Sequence, residues 1–408
     1  MKKVLVVGGG PAGMMAAGVA AQKGHEVHLF EKNSRLGKKL GITGKGRCNL
    51  TNDSDIENFM EQINGNTKFL YSAFYQWKPK DVMNFFATHG VKTKVERGNR
   101  VFPVSDRAYD VIQAFIEFLI QTGVHIHCNT EVKDLWVEND QLKGILFQNG
   151  TYESGEAVII ATGGLSYPKT GSTGQGYIMA KKVGHSITPC FPSLVPLVAK
   201  EKWVTDLQGL SLKNVKVTMK TQKGKILYQD FGEMMFTHYG VSGPIILSAS
   251  RSIVPYKESI DLYIDLKPSL DIPTLDRRII RDLEKFKMKD FNNSLYDLLP
   301  KALIPIVIQL SEISPDKKTH LITKEERKRL IHVLKEMKIT IIGNRGYSEA
   351  IVTAGGVKVQ ELSPKTMESK YMKGLYFVGE VLDVDGYTGG YNLQIAFSTG
   401  YVAGSHIY

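Results

Sequence analysis

The chain has 408 residues, 42% of them hydrophobic and 23% charged, so it is long enough for two or three domains with sizeable cores. Its net charge is +11, but the basic clusters "KEKW", "RRIIRD", "SPDKK" and "EERKR" are interleaved with acids or apolar residues, as on solvated faces. That pattern argues against a nucleic-acid partner and for solubility or attraction of anionic cofactors. Cys48, Cys128 and Cys190 show neither CxxC nor metal-ligand spacing, so no metal site and a reducing, cytoplasmic setting are expected.

Residues 4–21 are uncharged and follow Lys2-Lys3, as in a signal peptide or membrane span. Three successive glycines and a proline break the run after four apolar residues, which excludes that reading. The same residues read as strand, turn and helix. "VLVV" is a buried parallel strand, and Gly8, Gly10 and Gly13 fill G-x-G-x-x-G. An Ala-rich helix follows, with Pro11 and Ala12 in its first turn and its positive end toward a pyrophosphate. "EVHLF" is the second strand, and Glu31 at its end is spaced to accept hydrogen bonds from ribose hydroxyls.

The glycine-rich "GITGKGRCNLTN" (residues 41–52) comes next and reads as a loop. A helical stretch over 67–89 follows, then "AYDVIQAFIEFLIQTG" with apolar residues at helical spacing. "VHIHCN", "VKDLWVEND" and "LKGILFQNG" are three β-like runs, and "EAVIIATGG" is a further buried strand ending in Thr162, Gly163 and Gly164. A strand after a β-meander suits an FAD domain better than an NAD dehydrogenase built from repeated βαβ units. "PCFPSLVPLV" marks a crossover, after which alternation around Lys223-Gly224 predicts a hairpin and an antiparallel barrel. The pattern over 273–337 is helical, and "ITIIGNRGYSEAIVTAGGVKV" returns as strands. No second G-x-G-x-x-G occurs over 165–373, so NADH or NADPH would dock only transiently. At the C-terminus a strand leads to Gly379-Glu380, a glycine-rich loop and an apolar helix. Its start could stabilise charge on a reduced flavin.

The segments "VVGGGPAGMMAA", "GKKLGITGKGRCNLTN", "ATGGLSYPKTGSTGQGY", "FTHYGVSGP", "TAGGV" and "GEVLDVDGYTGGYNLQIAFSTG" span the whole chain. In them the sequence resembles the bacterial flavoproteins that include aminoacetone-oxidase-like and bile-acid dehydro-reductase-like enzymes, the NAD(FAD)-utilising dehydrogenases. The resemblance implies an α/β fold, a Rossmann-like FAD-binding domain of the two-dinucleotide-binding type interrupted by an inserted β-barrel and small helical domain. The expected divisions are 1–191 with 354–408 for FAD, 192–266 with 338–353 for the barrel, and 267–337 for the helices. It also places "TAGGV" beside the isoalloxazine.

The residues expected to hold FAD are Gly8, Gly10, Pro11, Ala12, Gly13, Glu31, Lys32, Lys38, Lys39, Gly46, Arg47, Cys48, Asn49, Val132, Thr162, Gly163 and Gly164, and near the C-terminus Gly356, Gly379, Glu380, Gly390, Tyr391, Asn392 and Leu393. Lys38 and Lys39 would meet phosphate, and Asn49 the polar edge of the flavin. The paired glycines of "TAGGV" would let backbone lie against a flat ligand. Cys48, His238 and Tyr391 are the catalytic candidates, with Tyr167 and Tyr387 also in flavin-proximal loops; a core His–Tyr pair competes for His238 and a packing thiol for Cys48. The expected function is hydride transfer between a small organic substrate, or NAD(P)H, and FAD, in a cleft at the domain junction. The alternative is a redox-responsive or RNA-associated flavin protein without turnover.

Overall fold

The computed structural model describes residues 1–407. Five short runs form one all-parallel sheet, three of them (Leu375–Phe377, Ala157–Ile160 and Lys3–Val7) apolar on both faces, as a sheet buried on both sides requires. Its order is Leu375–Phe377, Ala157–Ile160, Lys3–Val7, Glu26–Phe30 and His125–His127. "VHIHCN" therefore supplies the edge strand. The three-stranded meander consists of Val132–Glu138, Gln141–Phe147 and Tyr152–Ser154. The helices Pro11–Gln22 and Tyr391–Ser405 lie against each other so closely that a Cβ on Gly400 would fall 2.4 Å from the Ala12 carbonyl oxygen. The expected helix over 67–89 is two helices, Thr67–Gln76 and Pro79–Thr88, because Pro79 lacks the N–H needed to continue the first and suits the start of the second.

The chain divides into two compact units, one of Met1–Pro192 with the residues from Tyr347 onward, the other Ser193–Gly346. In the smaller unit, six strands close a barrel in the order Leu197–Ala199, Gly240–Ser242, Ile226–Thr237, Ser211–Thr221, Ile260–Asp265 and Met337–Asn344. The hairpin turns at Gln222 to Lys225, with Gly224 at φ +83°. The helices Ile272–Lys285, Ile304–Ser311 and Lys324–Lys335 bury Leu275, Ile279, Val307 and Leu330 in the same core as Val217 and Leu262 of the barrel. Residues 267–337 thus share the barrel's core. The return to the larger unit comes at Tyr347, and Val352–Val357 pairs with Ile187–Ser193 there rather than with the barrel. Among the described residues no helix is long and apolar enough to cross a membrane.

Candidate functional site

At the end of the first strand the chain turns within six residues, and a Cβ on Gly13 would sit 1.9 Å from the Gly8 carbonyl oxygen. Only glycine allows helix and turn to meet that closely. Gly10 caps the helix Pro11–Gln22 without any side-chain hydrogen bond, and no atom lies within 4 Å of where its Cβ would be. The N–H groups of the first turn, from Ala12 onward because Pro11 has none, thus begin beside open space with no acid in that turn. Glu31 follows the second strand, 9% exposed, and accepts from Gly9 N (2.8 Å), Asn33 N (2.8 Å) and Asn33 Nδ2 (2.6 Å). Its carboxylate is therefore held rigidly against the glycine turn. Lys32 reaches the Thr173 hydroxyl at 2.8 Å, and Lys38 donates to Asn33 Oδ1 at 3.2 Å. Val132 is buried at the start of the meander, two residues after Thr130, whose N–H donates to the Glu31 carbonyl at 3.0 Å.

A second cluster joins four distant segments. Glu380 Oε2 accepts from Lys39 Nζ at 2.6 Å, and Glu380 Oε1 accepts from Ser166 Oγ at 2.5 Å and from Thr353 N at 2.9 Å. Lys39 Nζ also donates to Ser166 Oγ at 2.6 Å, while Thr353 Oγ1 receives the N–H groups of Leu165 (2.8 Å) and Ser166 (3.1 Å). Lys39, expected to face phosphate, is paired with Glu380. Gly163 and Gly164 carry the chain over this network; a Cβ on Gly164 would lie 2.5 Å from Thr353 Oγ1. Gly379 precedes Glu380 and donates its N–H to Thr399 Oγ1 at 3.0 Å. Ser166, Thr353 and Asn33 were not singled out as site residues from the sequence. Their role rests on pairings up to 214 residues apart, and only the quoted segments containing Ser166 and Thr353 hinted at it.

The opening loop holds 3₁₀ structure over Leu40–Gly46, broken by left-handed Gly44 and Lys45; a Cβ on Gly46 would meet nothing within 4 Å. Arg47 departs from its expected place at the flavin. Its guanidinium binds Asp106 (Nε 2.8 Å) and Glu96 and lies 4.1 Å over the Phe102 ring, and both carboxylates hold its pKa up. Cys48 fails as a catalytic thiol: it is fully buried, and desolvation pushes its pKa up to about 12, so at neutral pH it is a protonated packing residue. Asn49 Oδ1 and Thr162 Oγ1 are shielded from solvent and have no hydrogen-bond partner in the protein.

Gly390 caps the helix Tyr391–Ser405 at φ +104°, again without a side-chain hydrogen bond. A Cβ there would strike the Thr51 carbonyl oxygen at 2.2 Å, so the loop around Thr51 is laid directly on the helix start. Asn392 fixes the preceding loop by accepting from Gly386 N (2.8 Å) and donating to Gly386 O (2.7 Å); Leu393 is half-buried beside it. Tyr391 is 9% exposed, its ring set edge-on to Phe59 at 4.7 Å, and burial raises its pKa. It is first a packing residue.

One expectation is corrected, and one candidate is located. The glycines of "TAGGV" make room for the protein's own backbone: a Cβ on Gly355 would lie 2.3 Å from Pro189 O, and on Gly356, at φ +141°, 2.6 Å from Val381 O. Chain, not a flat ligand, fills those positions. His238 lies in the smaller unit on an exposed turn, its ring edge-on to Tyr239 at 4.7 Å. Among the described residues no group of three or more His, Cys, Asp or Glu is placed to hold a metal ion.

Two helix starts capped by glycine alone, one beside open space, together with two unpartnered buried polar atoms, fit an extended anionic dinucleotide. Sequence comparison agrees. The chain is 33% identical to a 3-dehydro-bile acid delta(4,6)-reductase of Clostridium scindens, over 99% of this chain and 98% of that one. It is also 33% identical to a ribosomal RNA dihydrouridine synthase of Haemophilus influenzae, over 97% and 96%. A similar solved fold is the 3-ketosteroid-delta4-(5alpha)-dehydrogenase of Rhodococcus jostii RHA1, with a TM-score of 0.53, 16% identity, and coverage of 99% of this chain and 96% of that one. The model described as HI0933-like protein Rossmann domain matches residues 2–406, and the chain belongs to this family of FAD-dependent oxidoreductases.

Proposed function

We propose that the protein reduces a carbon–carbon double bond conjugated to a carbonyl, with FAD held by the larger unit. The starts of the two helices, at Gly10, Pro11 and Ala12 and at Gly390, Tyr391 and Asn392, would receive the pyrophosphate and the flavin edge. Glu31 would accept from the ribose and Glu380 from the ribityl chain, each prealigned by its own hydrogen bonds. FAD, when bound, supplies the two-electron hydride chemistry.

The observation that carries the reading is that two relatives similar over nearly the whole chain are named for reduction of such a bond, and the larger unit holds hydroxyl groups that could supply the proton. Burial raises the pKa of Tyr177, Tyr391 and Cys190, that of Tyr347 to about 12 and that of Cys48 to about 12. Tyr167 is shifted up too, by burial and by Glu349. Tyr167, Tyr177, Tyr347 and Tyr391 therefore carry their protons at neutral pH and are the candidate donors, while fully buried Cys48 is not. Saturating an activated double bond needs such a donor: hydride adds to the carbon β to the carbonyl and the acid protonates the α carbon. Both named relatives fit, since a 3-oxo Δ4,6 steroid and the uracil ring each hold such a bond. A transient NADH or NADPH is the expected electron source.

A second reading concerns what bears the bond. Ser193–Gly346 holds 26 Lys and Arg against 18 Asp and Glu, so +8 of the chain's +11 lies in the smaller unit. The clusters interleaved with acids carry little of this, but the lysines of one barrel hairpin are not so interleaved, and with the ribosomal RNA named for one relative they make a base within RNA the second candidate beside a free steroid. The test is anaerobic reoxidation of the reduced holoenzyme by a 3-oxo Δ4,6 bile acid or by an unmodified ribosomal RNA transcript. Flavin reoxidation with a product two hydrogens heavier is expected from at least one. Reoxidation by oxygen alone, with neither substrate changed, would overturn the reductase reading.

A further inference from the structure

The hairpin of Ser211–Thr221 and Ile226–Thr237 has two faces set by strand alternation. Leu212, Val215, Val217 and Met219 point into the barrel and are buried. The other positions carry Lys213, Lys216 and Lys220, and the turn adds Lys223 and Lys225. Acids on the neighbouring strand Ile260–Asp265 are already matched: Asp261 pairs with Lys338 at 2.8 Å and Asp265 with Lys335 at 2.6 Å. Asp230 accepts from the Tyr228 hydroxyl at 2.9 Å. The five hairpin lysines have no carboxylate partner among the described residues.

Aromatic surface lies among them. Phe231, opposite Lys216 in the register, is 57% exposed. Tyr263, opposite Thr218, has Lys220 Nζ at 4.8 Å from its ring centre. From Lys213 to the turn this track is about 25 Å long at the rise of a β-strand. A row of lysines without ion-pair partners, beside the exposed ring of Phe231 and the half-buried ring of Tyr263, suits a strand that is polyanionic along its backbone and flat at its bases. An anionic membrane would use the charge but has no bases to stack on these rings.

We infer that the outer face of this hairpin is a docking track for RNA, with phosphates on the five lysines and a base against Phe231 or Tyr263. The inference rests on the RNA reading above and gives it a location. Its test uses the full-length holoprotein and a fluorescein-labelled 20-nucleotide poly(U), read by anisotropy. Wild type should weaken on the order of 100-fold between about 50 and 200 mM salt if all five lysines meet phosphates. The variant Lys213→Gln, Lys216→Gln, Lys220→Gln, Lys223→Gln, Lys225→Gln should lose at least about tenfold in affinity at low salt. Its salt slope should flatten by about 3, while flavin content stays that of wild type. Replacing Lys23, Lys68, Lys80, Lys133 and Lys365 of the other unit by Gln provides the control for net charge alone. Equal loss in both variants, or no loss in the hairpin variant while wild type binds, would overturn the docking track and leave the RNA reading standing. No binding by wild type would defeat the track together with the RNA reading, and leave the reductase chemistry to its own test. Tighter, hairpin-dependent binding to phosphatidylglycerol vesicles than to poly(U) would assign the face to a membrane instead.

Discussion

In the larger unit Lys39 is bound by Glu380 and Ser166, Lys38 by Asn33, Lys32 by Thr173 and Arg47 by Glu96 and Asp106. In the smaller unit five lysines of one hairpin have no such partners. The larger unit, with +3 of the net charge over more residues, prepares for an anionic cofactor with backbone N–H groups and fixed carboxylates. Such donors lose little freedom when a ligand arrives. Lysines without ion-pair partners suit a partner met at many phosphates in varied register. Cofactor recognition and bulk charge are therefore separate properties of this chain, and a basic net charge says little about where an anion is bound tightly.

The contrast is sharpest at glycines. Gly356 has backbone where a side chain would go, with Val381 O at 2.6 Å and Leu382 C at 2.8 Å, and a φ of +141°. Gly356→Val must displace the Val381–Leu382 backbone, and a loss of several kcal/mol, enough to prevent folding of the larger unit, is expected. Gly224 of the hairpin turn has the same sign of φ but nothing within 4 Å. Gly224→Ala should cost about 1 kcal/mol of backbone strain and leave the protein folded. Thermal denaturation of both variants tests the pair; a well-folded Gly356→Val would contradict the close crossing.

These glycines also mark how far the sequence could be read. The strand–turn–helix around Gly8, Gly10 and Gly13, the acid at Glu31, the barrel hairpin and the last helix follow from local periodicity and spacing. The fifth parallel strand did not, because "VHIHCN" has no local mark separating it from the meander that follows. The purpose of "TAGGV" was misread for a related reason: glycines that admit a ligand and glycines that admit another strand look alike until the neighbour is known. Arg47 and Lys39 were assigned to the cofactor by their charge. Their carboxylate partners, Asp106 and Glu380, lie 59 and 341 residues away, beyond any sequence pattern.

Cys48 offers a test by pH. Its thiol ionises near 9.0 when free of the fold and near 12 in it, both forms being neutral below pH 9. A raised folded value means that its contribution is intact below the unfolded pKa and is lost as pH climbs toward the folded one. The larger unit should lose about 1.4 kcal/mol per pH unit through this group between roughly pH 9 and 12. Cys48→Ala, compared with wild type by denaturant unfolding at pH 8 and pH 10.5, should show that much less alkaline loss. Equal slopes would mean the thiol is accessible to solvent and would reopen its catalytic candidacy.

Glu31→Ala removes the acceptor of three N–H groups, one of them the Gly9 amide in the nucleotide turn. Hydrogen bonds to a charged acceptor are each worth about 1.5–3 kcal/mol, so FAD affinity should fall by roughly 10- to 100-fold. Flavin occupancy of the protein purified without added FAD measures it. Retention equal to wild type would place the adenosine elsewhere. Glu380→Gln is the partner experiment on the flavin side. It leaves Lys39 without its counter-ion, so a smaller loss of flavin, restored at high salt, would show that the charge of Lys39 and not the missing acceptor is what disturbs the site.

The smallest effect concerns Thr162, whose Oγ1 is buried without a partner. An unsatisfied buried hydroxyl costs about 1–3 kcal/mol, and valine keeps its shape without its polarity. Thr162→Val should therefore raise the stability of the deflavinated protein by about 1 kcal/mol. If the hydroxyl finds its partner in FAD, the holoprotein gains nothing from the change, because the stabilisation is offset by the lost bond. The gap between holo and apo stability then narrows by that same amount. Apo and holo forms that rise together would show that the cofactor never reaches this atom, and Thr162 would leave the FAD site. Asn49, the other buried polar side chain left unpaired in the FAD-binding loops, would then need the same comparison with Leu before the opening loop is counted as part of the cofactor cradle.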